Sequence, residues 1–346
     1  MNSKIIVIFA TLILMRQLTM TQDFIKTRVI GVDISVDVTV FAIVDVRGNI
    51  LARQQFPTKE YPNINEFVTR LSEGIIEMVE SNDGYEAIRS VGISTPSGNF
   101  QTGCIENAPN LMWKGQVPLA AMLRDRLGLA VALGNDVHAR ALGEHVYGSA
   151  HGMNDFIVVN LGHGVGSCVY IGGKPHLGTD GFAGEVGHSC VADNGRLCGC
   201  GNRGCLEAYA GTNGIVKTAM EILQEDNRPS LMREHQADLD PKMIFEFCEQ
   251  GDELSQEVFR RTGHILGISL ANYASVLNPE AIILCGGISH AGKWLVEPTD
   301  ESFEEHIFHN SKRKVKLLVS NLNENERDLL GASALAWNVK EYSLFK

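Results

Sequence analysis

Two stretches of this chain follow one plan, short apolar runs separated by tight turns, and that repetition limits the folds available. In the first half Val29–Ile34, Val38–Val46 and Asn49–Phe56 read as three strands, with Arg47-Gly48-Asn49 as the second turn. In the second half Asp155–Gly162, Val165–Ile171 and the segment after Gly172-Gly173 give strand, turn, strand, turn, strand again. Sequence identity between the halves is slight, so the repeat is one of topology. After the first meander, Ile64, Phe67, Val68, Leu71, Ile75, Met78 and Val79 recur at helical spacing within 63–81. A further strand, Ser90–Ser94, runs into the turn cluster Thr95-Pro96-Ser97-Gly98. A helix over 118–127 and a short strand over 130–133 then deliver Gly134-Asn135-Asp136 to a helix over 138–147. The second half continues with helices near 212–224, 241–250 and 252–277, the last broken only by Gly263 and Gly267, and a strand Ala281–Ser289 opening into a double glycine. A strand Val315–Ser320 and an alanine-rich helix Asp328–Val339 close the chain. At 346 residues there is length for two domains of about 150 residues each. No long linker separates the halves, so an α/β protein of two lobes with a cleft between them is expected.

Between Gly181 and Ala208 one imidazole and three thiols crowd a glycine-rich stretch: His188, then Cys198-Gly199-Cys200, then Cys205. This is a zinc inventory. Structural zinc takes four Cys or His ligands in a closed tetrahedron, and one residue between two cysteines needs a tight turn, which Gly199, Gly201 and Gly204 permit. Four protein ligands leave no open position for water, so such an ion holds a loop in shape and does no chemistry. The alternative is a set of reduced thiols that simply pack. Glu185 and Glu207 flank the ligands, and a pinned loop would fix both carboxylates.

Composition narrows the surroundings. A formal net charge of -11 disfavours nucleic acid as a partner. Of eight cysteines, the five outside the cluster show no disulfide-framework spacing, which points to a reducing compartment, the cytoplasm. Ile5–Met15 is an apolar run too short to span a bilayer, and no small-residue cleavage pattern follows it. It reads as an extension from an upstream start, with Met20 the expected true start; a working signal peptide and an appended native segment are the alternatives. Residues 1–27 are set apart on that ground, and no membrane partner is expected.

Three elements at the expected cleft carry chemistry. Asp136 lies where a strand ends and a helix starts, a place that favours a carboxylate electrostatically and lets it face a ligand; read more simply, Asn135 and Asp136 are a helix cap. Asp33 ends an apolar strand, where a carboxylate either meets phosphates through Mg²⁺ or bonds its own backbone. Leu161-Gly162-His163-Gly164-Val165-Gly166 is a turn whose N–H groups cradle an anion, or an ordinary hairpin.

Together these residues resemble the ROK family of sugar kinases and sugar-responsive repressors. The matches are Asp33, Pro109-Asn110-Leu111-Met112-Trp113, Asn135-Asp136, Leu161–Gly166, Gly184–His188, Cys198–Glu207 and Cys285-Gly286-Gly287, spread over about 29–340. The resemblance implies a two-lobed actin-like ATPase fold, a duplicated ribonuclease H-like unit with a structural zinc loop. Its small lobe would span 28–134, with 328–346 returning to it, and its large lobe 135–327. It also implies ATP with Mg²⁺, a hexose or N-acetylhexosamine in the cleft, and a homo-oligomer. Carried over by position, Asp136 would be the general base for the sugar 6-hydroxyl, and Asn110, Asn135, Glu185, His188 and Glu207 would hold the sugar. Asp33, Gly162, His163, Gly164, Gly286 and Gly287 would face the nucleotide, and His188, Cys198, Cys200 and Cys205 would bind zinc. His188 would turn one ring nitrogen to the metal and the other to the sugar.

The nucleotide half departs from the family pattern. Ser35-Val36-Asp37 stands where two glycines and a threonine are usual, His163 where Thr or Ser is, and Cys285 and Ser97 where Gly is. A sugar-binding sensor of the same fold, with weak or lost kinase activity, is therefore the second expectation. A DNA-binding repressor fits least well, because only about 28 residues precede the first strand and ROK repressors carry a helix-turn-helix domain there.

Overall fold

The computed structural model describes residues 26–179 and 183–339. The apolar run Ile5–Met15, the start-site reading at Met20, Gly181 and the end of the returning segment lie outside the described residues.

The first sheet takes β1 (Arg28–Ile34), β2 (Val38–Asp45), β3 (Ile50–Pro57) and β4 (Ile88–Thr95). A small sheet of β5 (Gly98–Asn99), β6 (Cys104–Glu106) and β7 (Gln116–Val117) follows, and β8 (Ala130–Asn135) completes the first sheet in the order β3-β2-β1-β4-β8. The second sheet comprises β9 (Phe156–Leu161), β10 (Val165–Ile171), β11 (Lys174–Pro175), β12 (Ala281–Cys285) and β13 (Lys316–Val319), ordered β11-β10-β9-β12-β13. In each sheet an antiparallel meander is extended by two parallel strands. The duplication expected from the turn pattern is thus a duplication of connectivity.

Hydrophobic spacing explains how the helices seat. In α1 (Ile64–Glu80), capped by the Asn63 side chain, Phe67, Val68, Leu71, Ile75, Met78 and Val79 face the first sheet and are buried. Next come α2 (Leu119–Leu127), α3 (Asp136–Tyr147), the single turn α4 (Glu207–Ala210), α5 (Thr212–Glu225), α6 (Pro241–Glu249), α7 (Glu253–Leu277), α8 (Lys293–His306) and α9 (Glu324–Trp337). Between the sheets, α3 and α9 cross at small residues: a Cβ on Gly331 would lie 2.6 Å from the carbonyl oxygen of Ala139, and one on Gly143 would lie 3.1 Å from Gly331. Leu329, Leu330 and Ala336 of α9 pack on the first sheet, while Ala334 and Leu335 join Ala139, Ala141 and Leu142 of α3 against the second.

Three expectations change. The helix over 253–277 runs unbroken; Gly263 and Gly267 do not interrupt it but admit α8, whose Leu295 and Thr299 carbonyls come to 3.0 and 2.5 Å of where their Cβ atoms would be. The α8 helix itself was not foreseen, because Pro298 lies inside it and its buried face is partly Thr299 and Ser302. The strand from Ala281 stops at Cys285, since Gly286 turns the chain at φ 93°.

Candidate active site

Asp136 is the first residue of α3. Asn135 caps that helix, its side-chain oxygen accepting from the Val137 N–H at 2.9 Å. The simpler reading of Asn135 is therefore met, while its amide nitrogen takes no part in the cap. One turn on, the Arg140 guanidinium lies 3.7 Å from the Asp136 carboxylate and makes a two-pronged contact with Asp328 of α9 at 2.5 and 3.1 Å. Asp33, at the end of β1, shares this cluster and lies opposite Ser94 of β4 in register. Burial, then the charge of Asp328, raises the Asp33 carboxyl to about 7; Ser94 and Arg140 act against that rise, and Asp136 adds to it. Asp33, Asp136 and Asp328 thus gather three carboxyl groups around the Arg140 guanidinium, with the buried Arg327 3.9 Å from Asp328, an oxygen-rich donor set of the kind that suits a hard divalent cation.

The zinc inventory converges as expected from its spacing. One donor atom from each of His188, Cys198, Cys200 and Cys205 falls within 4.8 Å of all the others. The Cys200 and Cys205 sulfurs are 3.7 Å apart, and Cys198 Sγ is 3.7 Å from His188 Nδ1. A tetrahedral zinc with Zn–S of about 2.3 Å sets its sulfurs about 3.8 Å apart, so the donor set fits that ion. His188 presents Nδ1 to the thiols, and its other ring nitrogen is left for a partner outside the cluster. Gly204 is essential here: at φ 79°, its Cβ would fall 1.9 Å from the Ala192 carbonyl oxygen. A support that sequence reasoning missed is Arg196. Its guanidinium donates to the carbonyls of Ala208 and Gly214 at 3.1 and 2.9 Å, pairs with Glu221 and lies over the Tyr209 ring.

Glu207 opens α4 beside this loop. It accepts from the Val165 N–H at 3.1 Å, next to the glycine-rich turn, which forms the β9–β10 hairpin. The Thr212 N–H and hydroxyl both donate to the Gly162 carbonyl, at 3.0 and 3.1 Å, and His163 at the tip is exposed. At the end of the neighbouring parallel strand β12, Gly286 packs on Leu161, where a Cβ would meet the carbonyl oxygen at 2.3 Å. Gly162, His163, Gly164, Gly286 and Gly287 therefore share one edge of the second sheet, outside the carboxyl ends of adjacent strands, where α/β sheets place ligands.

The departures near Asp33 have local partners. Val36 packs against the core of the first sheet, and Asp37 pairs with Lys59 at 2.6 Å in an exposed contact. Ser97 stands at φ 54°, a backbone geometry that suits glycine. The Asn110 loop is held by two residues read only as part of it or not at all. Lys114 donates to the carbonyls of Ala108, Pro109 and Leu111, and the Trp113 indole donates to Tyr61 at 3.2 Å. Asn110 is exposed at that loop. Glu185 is exposed too, and it lines a cavity of about 470 Å³ together with Ser269, Asn272 and Tyr273 of α7.

Two sheets of identical connectivity flanking paired helices, with carboxylates and glycine turns at their carboxyl edges, define an actin-like ATPase fold of two ribonuclease H-like units. The chain belongs to the ROK family, which it matches over residues 29–339. It is 31% identical to the glucokinase of Streptomyces coelicolor over 313 residues, covering 89% of this chain and 96% of that protein. It is 27% identical to the xylose repressor of Caldicellulosiruptor bescii, covering 86% of this chain and 75% of the repressor. Among solved structures, the ROK family glucokinase of Streptomyces griseus in complex with glucose and AMPPNP superposes with a TM-score of 0.72 at 31% identity, covering 90% of this chain and all of that one. No described helix is long and apolar enough to cross a membrane.

Proposed function

We propose that the protein is an ATP-dependent hexose kinase that phosphorylates the 6-hydroxyl of a glucose-like sugar, with Asp136 as general base. The observation that carries this reading is the position of Asp136 at the start of α3, close enough to Asp33 to interact with it electrostatically, in a chain 31% identical to a glucokinase along nearly its whole length.

In this reading Asn110, Asn135, Glu185, His188 and Glu207 accept and donate hydrogen bonds around the hexose hydroxyls. The Asp136 carboxylate takes the 6-hydroxyl proton as that oxygen bonds to the γ-phosphorus, and the bond from that phosphorus to the bridging oxygen of ADP breaks. The glycine turns at 162–164 and 286–287 offer backbone N–H groups and steric room to the nucleotide. A magnesium ion at Asp33 would neutralise charge on the transferring phosphoryl group, the main help this chemistry needs. Closure of the two lobes would exclude water and so limit ATP hydrolysis. Zinc at His188, Cys198, Cys200 and Cys205 would be structural, fixing His188 and the neighbouring Glu207; a metal-ligating imidazole has its second nitrogen held by its own partner. A reducing compartment, the cytoplasm, and a homo-oligomeric state belong to the same reading.

The run Ser35-Val36-Asp37 and the similarity to a xylose repressor favour a second reading, a sugar-responsive sensor with little turnover. One assay separates them: purified protein, Mg-ATP and a panel of hexoses, with ADP release followed and Asp136→Asn as control. Hexose-dependent ADP release that vanishes in Asp136→Asn supports the kinase. Calorimetric sugar binding without ADP release supports the sensor.

A further inference from the structure

Asp136 is half-buried in the first turn of α3, and the first turn alone does not fix a carboxylate rotamer. The structure supplies a fixing element on α3 itself, anchored by α9. Arg140 sits four residues on, on the same face of α3, so its guanidinium lies over Asp136. A long arginine on its own would sample many rotamers. Here it is held by Asp328: Nε and Nη2 each meet one oxygen of that carboxylate, at 2.5 and 3.1 Å, which leaves Nη1 pointing to Asp136 Oδ2 at 3.7 Å. The Arg140 side chain is 16% exposed and that of Asp328 28%, so the planar fork is seated rather than solvated. The seating depends on the close crossing of α3 and α9 at Ala139, Gly143 and Gly331, which brings Asp328 within reach although it is 188 residues away in sequence. Arg327, one position before Asp328, is buried, with Nε 3.9 Å from Asp328 Oδ1.

We propose that Arg140 and Asp328 form a positioning pair for Asp136, holding its carboxylate in the single orientation that receives the sugar 6-hydroxyl. Neither residue touches substrate. The proposal rests on the hexose kinase reading for what Asp136 meets, but not on turnover. It follows that the pair acts on recognition of one hydroxyl and leaves the rest of the sugar site alone.

The test is calorimetric binding of glucose and of 6-deoxyglucose to the full-length protein without nucleotide, for wild type, Arg140→Met, Asp328→Asn and Arg140→Lys. A hydrogen bond to a charged group is expected to give wild type about tenfold or greater preference for glucose over the 6-deoxy sugar. Arg140→Met and the isosteric Asp328→Asn should reduce that preference to under about threefold while binding 6-deoxyglucose as wild type does, which also reports an intact fold. Arg140→Lys, which keeps the charge and loses the two-pronged contact, should fall between. A preference that persists in both Arg140→Met and Asp328→Asn overturns the pair and leaves the kinase reading standing. A wild type with no preference removes Asp136 from the 6-hydroxyl and overturns the pair as well. A wild type that discriminates through the pair but releases no ADP in the coupled assay upholds the pair and sinks the kinase reading.

Discussion

Glu207 and Cys198 meet at 3.6 Å, carboxylate oxygen to sulfur, while the other oxygen of Glu207 accepts from the Val165 N–H at 3.1 Å. One side chain thus joins the cysteine loop to the glycine-rich hairpin. Loss of order in the loop should therefore reach a residue proposed to hold sugar.

Metal removal tests this directly. Elemental analysis of the purified protein should find one zinc per chain. Chelation, or Cys205→Ser, should lower Tm and weaken hexose binding by more than about tenfold, because a structural zinc site contributes folding energy to the loop that carries its ligands. Metal-free protein with unchanged hexose affinity would separate the loop from the sugar site.

Substitution of the proposed base should act on rate and spare binding. Asp136→Asn keeps the size of the side chain and its place at the helix start, yet it cannot accept a proton. Hexose-dependent ADP release should fall by about 10²- to 10⁴-fold, with hexose affinity within a few-fold of wild type. A loss confined to KM for hexose would assign Asp136 to sugar binding alone.

The Asp33 carboxyl gives stability a pH dependence of known sign. Burial and the charge of Asp328 raise it to about 7 in the folded chain, from 3.8. Between those values the folded protein holds a proton that the unfolded chain releases, so acid favours folding. The contribution is complete below about pH 4 and is lost as pH climbs through about 7. In metal-free buffer, wild type should therefore lose stability relative to Asp33→Asn between about pH 4 and about pH 7. Asp33→Asn should also lose turnover, a stabilising change at the expense of function. Parallel stability curves for the two proteins in denaturant titrations would contradict the burial of this charge.

A methyl group at the crossing of α3 and α9 has nowhere to go. Gly331→Ala would place Cβ 2.6 Å from the Ala139 carbonyl oxygen, backbone that cannot swing aside. A cost of about 1–3 kcal/mol is expected, as for overpacking elsewhere, read as a lower denaturant midpoint at constant slope. Because α3 carries Asp136, kcat should fall with it. An unchanged midpoint would show that the two helices have room to part.

Residues with local pattern were legible in the sequence. The two meanders, the apolar face of α1 and the Asn135 cap follow from periodicity and capping chemistry that act over a few residues. The His188, Cys198, Cys200 and Cys205 set was readable because thiols and an imidazole at short spacing have few other uses. Helix α8 escaped because Pro298 and a buried face containing Thr299 and Ser302 carry a weak helical signal, and its place depends on Gly263 and Gly267 of a different helix. The same holds for Lys114, whose three carbonyl partners appear only once the loop is folded.

By itself, then, the chain determined its strands, its turns, its cysteine loop and the resemblance that located Asp136. Only the tertiary structure decided what surrounds that aspartate. Arg140 follows Asp136 at helical spacing on α3, but Asp33 and Asp328 come from β1 and α9, and no spacing rule links those two to it. Their charges interact because packing at Gly331 brings the last helix against the third, and because electrostatic coupling depends on distance through the folded protein rather than along the chain.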